Sequence, residues 1–159
     1  SNGFKEVYEN KEYETPEVAH VQRYRTTLSD TDYLQAMHYT NYFRYCERAW
    51  MDLLNSIGFS YTTLIHKYGI FLPTVEVGGK ISSPVRMDNE IAIYVWVEDI
   101  GVKHIKWRCV IKNLTSNKVV ADIYHIARCS DTALTQSIEL PKELVDKLSK
   151  YMPKSESNM

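Results

Sequence analysis

Long apolar runs are missing from this chain of 159 residues: none approaches the roughly 20 residues that a bilayer-spanning helix needs. No signal-peptide pattern opens it. Ser1-Asn2-Gly3 reads as a cloning scar, so a targeting segment upstream is not excluded. An excess of charge is missing too. A formal net charge of −1 leaves no basic footprint for nucleic acid and none for an anionic membrane surface. Cysteine is scarce, and Cys46, Cys109 and Cys129 are widely spaced with no C-x-x-C pair. The expectation is reduced, buried thiols in a cytoplasmic protein. There is no G-x-S-x-G and no glycine-rich phosphate loop, which removes support for serine-based hydrolysis and nucleotide chemistry. Internal repeats and low-complexity tracts are also absent.

What is present suits one globular domain, with 44% hydrophobic and 25% charged residues. Residues 1–17 read as a loose polar arm, 18–151 as the domain and 152–159 as a disordered tail. Twelve tyrosines are the one skew in composition. Most suit strand positions, and some suit partly wet pockets or interfaces.

The run Ala19–Leu28 reads as a first strand. A helix is expected from about Asn41 to Ile57, because Tyr42, Cys46, Ala49, Trp50, Leu53 and Ile57 fall on one face at the 3.6-residue period. Phe43, Tyr45 and Leu54 widen that face, so the helix should be largely enclosed. Thr40 or Asn41 can cap its start, and Gly58 fits the position just past its end. A shorter helix follows over Tyr61–Tyr68, stopped by Gly69. The period then changes to two. Strands are expected over 74–82, 90–98, 102–112 and 118–129, joined by short connections that imply an antiparallel meander. Pro141 starts a short closing helix. The fold class is therefore α+β: a curved antiparallel sheet of about five strands, in the order β-α-β-β-β-β, wrapped round one long helix.

Chemistry concentrates between Ser29 and Gly58. Asp30 and Asp32 stand two residues apart at the end of the first strand, just ahead of the enclosed helix. An isolated aspartate is most often a turn or cap residue. A carboxylate beside a helix N-terminus can instead act as base or nucleophile on a carbonyl whose oxygen rests on the free helix N–H groups. His38 flanks the helix and reads equally as a polar flank or a pocket residue. No third ligand at a recognisable spacing joins His38 and the aspartates, so no metal is expected. His125 and Cys129 read as core or surface residues.

The segment D-T-D-x6-Y-T-N-Y-x2-Y-x-E-R-A, from Asp30 to Ala49, resembles the N-terminal signature of hot-dog-fold acyl-CoA thioesterases of the 4-hydroxybenzoyl-CoA thioesterase family. Ser83-Pro84-Val85-Arg86-Met87-Asp88 is similar to that family's connection into its long strands. The resemblance covers roughly residues 21–130. It implies that Asp32 is the catalytic carboxylate and that the backbone N–H of Tyr39, seven residues on, polarises the thioester carbonyl. It implies substrate-binding roles for Asn41 and Lys103. Some relatives carry a histidine at the Tyr39 position, whereas here it stands one residue earlier, so the substrate-binding reading of His38 rests on its place beside the helix and not on the resemblance. Asn41 would be a helix-start or pocket residue, and Lys103 a contact for the CoA phosphates that otherwise reads as a solvated strand lysine. Relatives usually carry a glycine three residues after the aspartate. Here Tyr33-Leu34-Gln35 removes that permissive backbone position and adds bulk.

The implied function is hydrolysis of an acyl thioester, borne by CoA or by an acyl-carrier protein, to a free acid. No cofactor is implied beyond coenzyme A as part of the substrate. The implied assembly is a homodimer, or a homotetramer built from it. A non-catalytic acyl-CoA or lipid-binding module of the same fold is the alternative. A hot-dog dehydratase fits less well, because no histidine with an acidic partner on the central helix is evident.

Overall fold

The structure is a computed structural model that describes residues 15–154. Most of the expected N-terminal arm (1–14) and most of the expected tail (155–159) lie outside the described residues. Among the described residues seven strands and three α-helices follow in order. They are β1 (His20–Arg25), α1 (Tyr39–Ser56), α2 (Tyr61–Tyr68), β2 (Ile70–Phe71), β3 (Thr74–Ile81), β4 (Glu90–Ile100), β5 (His104–Asn113), β6 (Lys118–Arg128), β7 (Ser130–Asp131) and α3 (Lys142–Leu148). Short 3-10 turns lie at Leu28–Asp30 and Ser149–Tyr151.

Five strands form one antiparallel sheet in the order β1-β4-β5-β6-β3. β4, β5 and β6 are neighbours in sequence and in space. β3 lies at the far edge from β1. α1 lies on the sheet, chiefly over β4 and β6, which is the hot-dog arrangement. The pair β2–β7 forms a separate two-stranded ladder that strand periodicity does not announce, because each arm has only two residues.

α1 buries Tyr42, Tyr45, Cys46, Ala49, Trp50, Leu53 and Leu54. Burying each large side chain of this kind contributes about 1.5–3 kcal/mol. Trp50 stacks on Trp107 of β5 with ring centroids 5.7 Å apart and planes 6° apart. Gly58, at φ 85, takes the left-handed position that ends the helix. Its start differs from expectation. His38 is the N-cap and accepts from the Thr40 N–H through its side chain, so Thr40 and Asn41 lie inside the helix.

The cysteine expectation is corrected. Cys46 and Cys109 form a disulfide with Cα atoms 6.0 Å apart, and only Cys129 is a free buried thiol. The cause is packing. Cys46 stands one turn before Trp50 and Cys109 two residues after Trp107, so the helix–sheet contact that stacks the indoles also brings the sulfurs together.

β4 lies inside the sheet between β1 and β5, and its side chains are largely buried on both faces. β1 and β3 are the two edges of the sheet, and on β3 Val75, Val77 and Ile81 are all exposed. Gly79 there has φ +130, and a Cβ would lie 2.3 Å from the Asp122 carbonyl, so only glycine lets β3 approach β6 so closely.

Candidate active site

The chain leaves β1 through Thr26, whose buried hydroxyl donates to the Arg86 carbonyl and accepts from the Asn89 N–H. The 3-10 turn Leu28–Asp30 follows. The Asp30 carboxylate closes it by accepting from the Thr27 N–H at 2.8 Å and from the Thr27 hydroxyl at 3.2 Å. The same Oδ2 accepts from the Tyr45 hydroxyl at 2.7 Å. Burial and the Asp30 carboxylate raise the Tyr45 phenol well above its ordinary pKa, so it stays a donor.

Residues 31–37 form a small hairpin. Thr31 pairs with Met37, the Asp32 N–H donates to the Ala36 carbonyl at 3.2 Å, and the Gln35 N–H donates to the Asp32 carbonyl at 2.9 Å. The hairpin returns the chain to the helix start, so Asp32 lies across from Ala36, three residues ahead of Tyr39. Asp32 Oδ1 accepts from the Leu34 N–H at 2.8 Å. Among the described residues the Asp32 carboxylate has no other partner, so Oδ2 is open to a ligand.

The tip of this hairpin carries the segment Tyr33-Leu34-Gln35. Gln35 stands at φ 60, the left-handed conformation that glycine adopts without penalty. A non-glycine residue there costs about 1–2 kcal/mol. The backbone therefore keeps a turn that glycine would favour, at the cost of strain. The bulk of Tyr33 and Leu34 points outward, with Tyr33 92% exposed.

The helix mouth is tied to the same turn. The Asp30 carbonyl accepts from the His38 N–H at 3.3 Å and from Asn41 Nδ2 at 2.8 Å. His38 Nδ1 lies 2.8 Å from the Thr40 hydroxyl and 3.3 Å from the Thr40 N–H, while the Asn41 N–H donates to the His38 carbonyl at 2.9 Å. That leaves the Tyr39 N–H, the first of the helix, with no acceptor among the described residues. Helix starts leave such donors open, and the helix dipole makes this one favourable to negative charge.

Of the residues singled out in the sequence, His38, Tyr39 and Asn41 form the helix start, and Asp32 lies in the hairpin that leads to it, where its side chain bonds the Leu34 N–H and none of those three. His38 acts as the cap, and Asn41 fastens the helix to the Asp30 turn. Lys103 is not brought to them. Arg25 pairs with Glu90 at the Asp32 end of the sheet, while Lys103 lies in the turn after Ile100, beyond the far end of the 11-residue β4. At about 3.3 Å per residue, the strand alone separates the two ends by about 33 Å. Lys103 also precedes β5 instead of standing on it, and its carbonyl accepts from the Cys129 N–H. Two contributors went unread in the sequence: the Leu34 N–H, which holds Asp32, and Arg86, whose Nη1 donates to the Gln35 carbonyl at 3.3 Å. Arg86 is 51 residues from Gln35, a contact that no local pattern signals. No cluster of three or more His, Cys, Asp or Glu able to hold a metal occurs among the described residues.

On the segment from the 3-10 turn to the helix start the apolar side chains of Leu28, Tyr33, Leu34 and Tyr39 are exposed, as is Met87 next to Arg86. A groove of about 570 Å³ runs from Asp30 and Asn41 down the solvent face of α1, past Arg44, Arg48 and Asp52. The Tyr24 hydroxyl donates to Asp52 beside it, and Arg48 lies over the Tyr24 ring.

The thioesterase-like superfamily matches residues 26–148, well over half of the sequence, and the chain belongs to that family. The enzyme class expected from the sequence is thus that of its family. Solved structures share the fold. A thioesterase-superfamily protein from Jannaschia superposes with a TM-score of 0.79 at 17% identity, covering 89% of this chain and 99% of that one. A 1,4-dihydroxy-2-naphthoyl-CoA thioesterase from Synechocystis gives 0.76 at 15% identity, covering 82% and 96%. A DHNA-CoA thioesterase from Staphylococcus aureus gives 0.74 at 19% identity, covering 84% and 88%. At these identities the likeness concerns the fold. The comparison with curated protein sequences returns no match. No helix among the described residues is long and apolar enough to cross a membrane.

Proposed function

We propose that the chain hydrolyses an acyl thioester with Asp32 as the catalytic carboxylate. The observation that supports this reading is the hairpin over 31–37, which leads the chain back to the helix start and leaves one Asp32 carboxylate oxygen and the Tyr39 N–H without a partner among the described residues. Asp32 is held through a single oxygen by the Leu34 N–H, and the Tyr39 N–H stands open at the start of α1. Asp32 takes a proton from water as the water oxygen bonds to the thioester carbon. The carbonyl oxygen becomes an oxyanion on the Tyr39 N–H. Collapse of the tetrahedral adduct breaks the C–S bond, and the proton held by Asp32 passes to the departing thiolate. Direct attack by Asp32, giving an anhydride that water then opens, uses the same groups.

The exposed apolar side chains of Leu28, Tyr33, Leu34 and Tyr39, on the segment that carries Asp32, are suited to the acyl part. CoA thioesters are the substrates that the family resemblance favours, with carrier-protein thioesters as the second source. His38 and Asn41 shape the mouth. A homodimer fits the exposed apolar edge of β3. If two copies pair there antiparallel about a two-fold axis, the far end of one sheet lies beside the Asp32 end of the other. Lys103 of the second copy would then face the phosphates of CoA bound at the first. A cytoplasmic site of action goes with a CoA substrate. The Cys46–Cys109 bond is unusual for that compartment, although both sulfurs are fully buried from reductant. A purely binding role would leave the free Asp32 oxygen without a task.

Release of CoA from short, medium, long and aromatic acyl-CoAs tests the proposal. Hydrolysis of at least one class is expected. Tight binding of all of them without release would favour the binding module.

A further inference from the structure

The strained residue at the hairpin tip and the arginine beside it suggest a role for Arg86. Gln35 holds φ 60 with a side chain that disfavours it. Its own N–H is used to close the Asp32 turn, and its carbonyl accepts from Arg86 Nη1 at 3.3 Å. Arg86 is itself anchored. Its N–H donates to Asn89 Oδ1 at 2.8 Å, its carbonyl accepts from the Thr26 hydroxyl and the Asn89 N–H, and it bridges to Ala36. No carboxylate pairs with its guanidinium among the described residues. The only group among the described residues that fixes the Asp32 carboxylate, the Leu34 N–H, belongs to the residue just before Gln35.

We propose that Arg86 is a positioning residue: it clamps the left-handed Gln35 turn and so holds the Leu34 N–H where it orients the Asp32 carboxylate. The proposal rests on the reading of Asp32 as the catalytic base. A glycine at position 35 would keep the turn without strain and make the clamp dispensable. The guanidinium thus takes over what backbone freedom would supply in a glycine.

The test is a double-mutant cycle of Arg86→Ala and Gln35→Gly, with Arg86→Lys alongside. Hydrolysis of the best acyl-CoA substrate and deuterium exchange at the Leu34 amide are both measured. Arg86→Ala alone should lower kcat by about tenfold, since small misplacements of a reacting group have effects of this order or larger. KM should stay within about twofold, and Leu34 exchange should quicken. Arg86→Lys should recover part of kcat. In the Gln35→Gly background, Arg86→Ala should change kcat by less than about threefold, because the clamped strain is gone. Equal losses in both backgrounds, or a loss in KM alone, would overturn the proposal. Unchanged Leu34 exchange in Arg86→Ala would also overturn it. The exchange arm needs no turnover, so absence of thioester hydrolysis would count against the proposed function while the clamp was still decided.

Discussion

The Asp30 carboxylate accepts a hydrogen bond from the Tyr45 hydroxyl at 2.7 Å, which joins the turn before the active loop to the second turn of the central helix. Asp30 is thereby spoken for, and Asp32 is left as the available carboxylate of the pair. Replacing Asp30 with alanine strands the Tyr45 hydroxyl and the Thr27 N–H, and should destabilise the fold by about 1–3 kcal/mol. Thermal unfolding of Asp30→Ala against wild type measures this. An unchanged Tm would mean that the Asp30 bonds contribute nothing net.

The Cys46–Cys109 bond closes a loop with a sequence separation of 63. A loop of that size predicts stabilisation of about 4 kcal/mol from restriction of the unfolded chain. Cys109→Ala should therefore melt well below wild type under oxidising conditions. Dithiothreitol in the unfolding buffer should lower the wild-type Tm and leave the variant where it was. Identical curves for the two proteins would contradict the bond's contribution.

His125 is buried, accepts from Trp50 Nε1 through Nδ1, and has its pKa pushed down to about 4 by burial. Its folded value lies below the ordinary 6.5, so the unfolded chain binds the extra proton between about pH 6.5 and 4. Stability from this group is complete above pH 6.5 and is lost as pH falls through that window, by up to about 3 kcal/mol. Other carboxylates titrate near the lower end, so the comparison is with His125→Gln, which keeps an acceptor for Trp50 and cannot titrate. Urea unfolding at pH 7 and pH 4.5 should show a smaller pH effect in the variant. An equal effect would remove His125 as its source.

Val77 presents an exposed apolar side chain on the open β3 edge. Under the dimer proposal, Val77→Lys should shift the protein toward monomer in light scattering and lower thioester hydrolysis with it, since in that proposal the second copy would supply Lys103. A wild type that is already monomeric and active would contradict that assembly.

Much of the fold was legible because its signals are local. The span Tyr61–Tyr68 is found as read, between the Ser60 cap and left-handed Gly69. The long strands fall within about two residues of expectation, because alternation and turn residues are local properties. What escaped depends on contacts far apart in sequence. Nothing in the spacing of Cys46 and Cys109 announces a bond, since each reads as one more apolar residue on an inward face. His38 was passed over as a cap because serine, threonine, asparagine and aspartate lead that position. Lys103 was grouped with the site by resemblance, and only the strand register shows it at the other end of the sheet. Gln35 was legible as a missing glycine, but the left-handed backbone that it keeps, and the arginine that holds it, required the tertiary structure.

The central claim is that Asp32 carries the chemistry, and it is tested most directly by Asp32→Asn. The change keeps an acceptor for the Leu34 N–H and removes the base. CoA release from the best acyl-CoA should fall by about 10²–10⁴-fold, with Tm and substrate affinity near those of wild type. A folded Asp32→Asn protein that turned over at the wild-type rate would contradict the account.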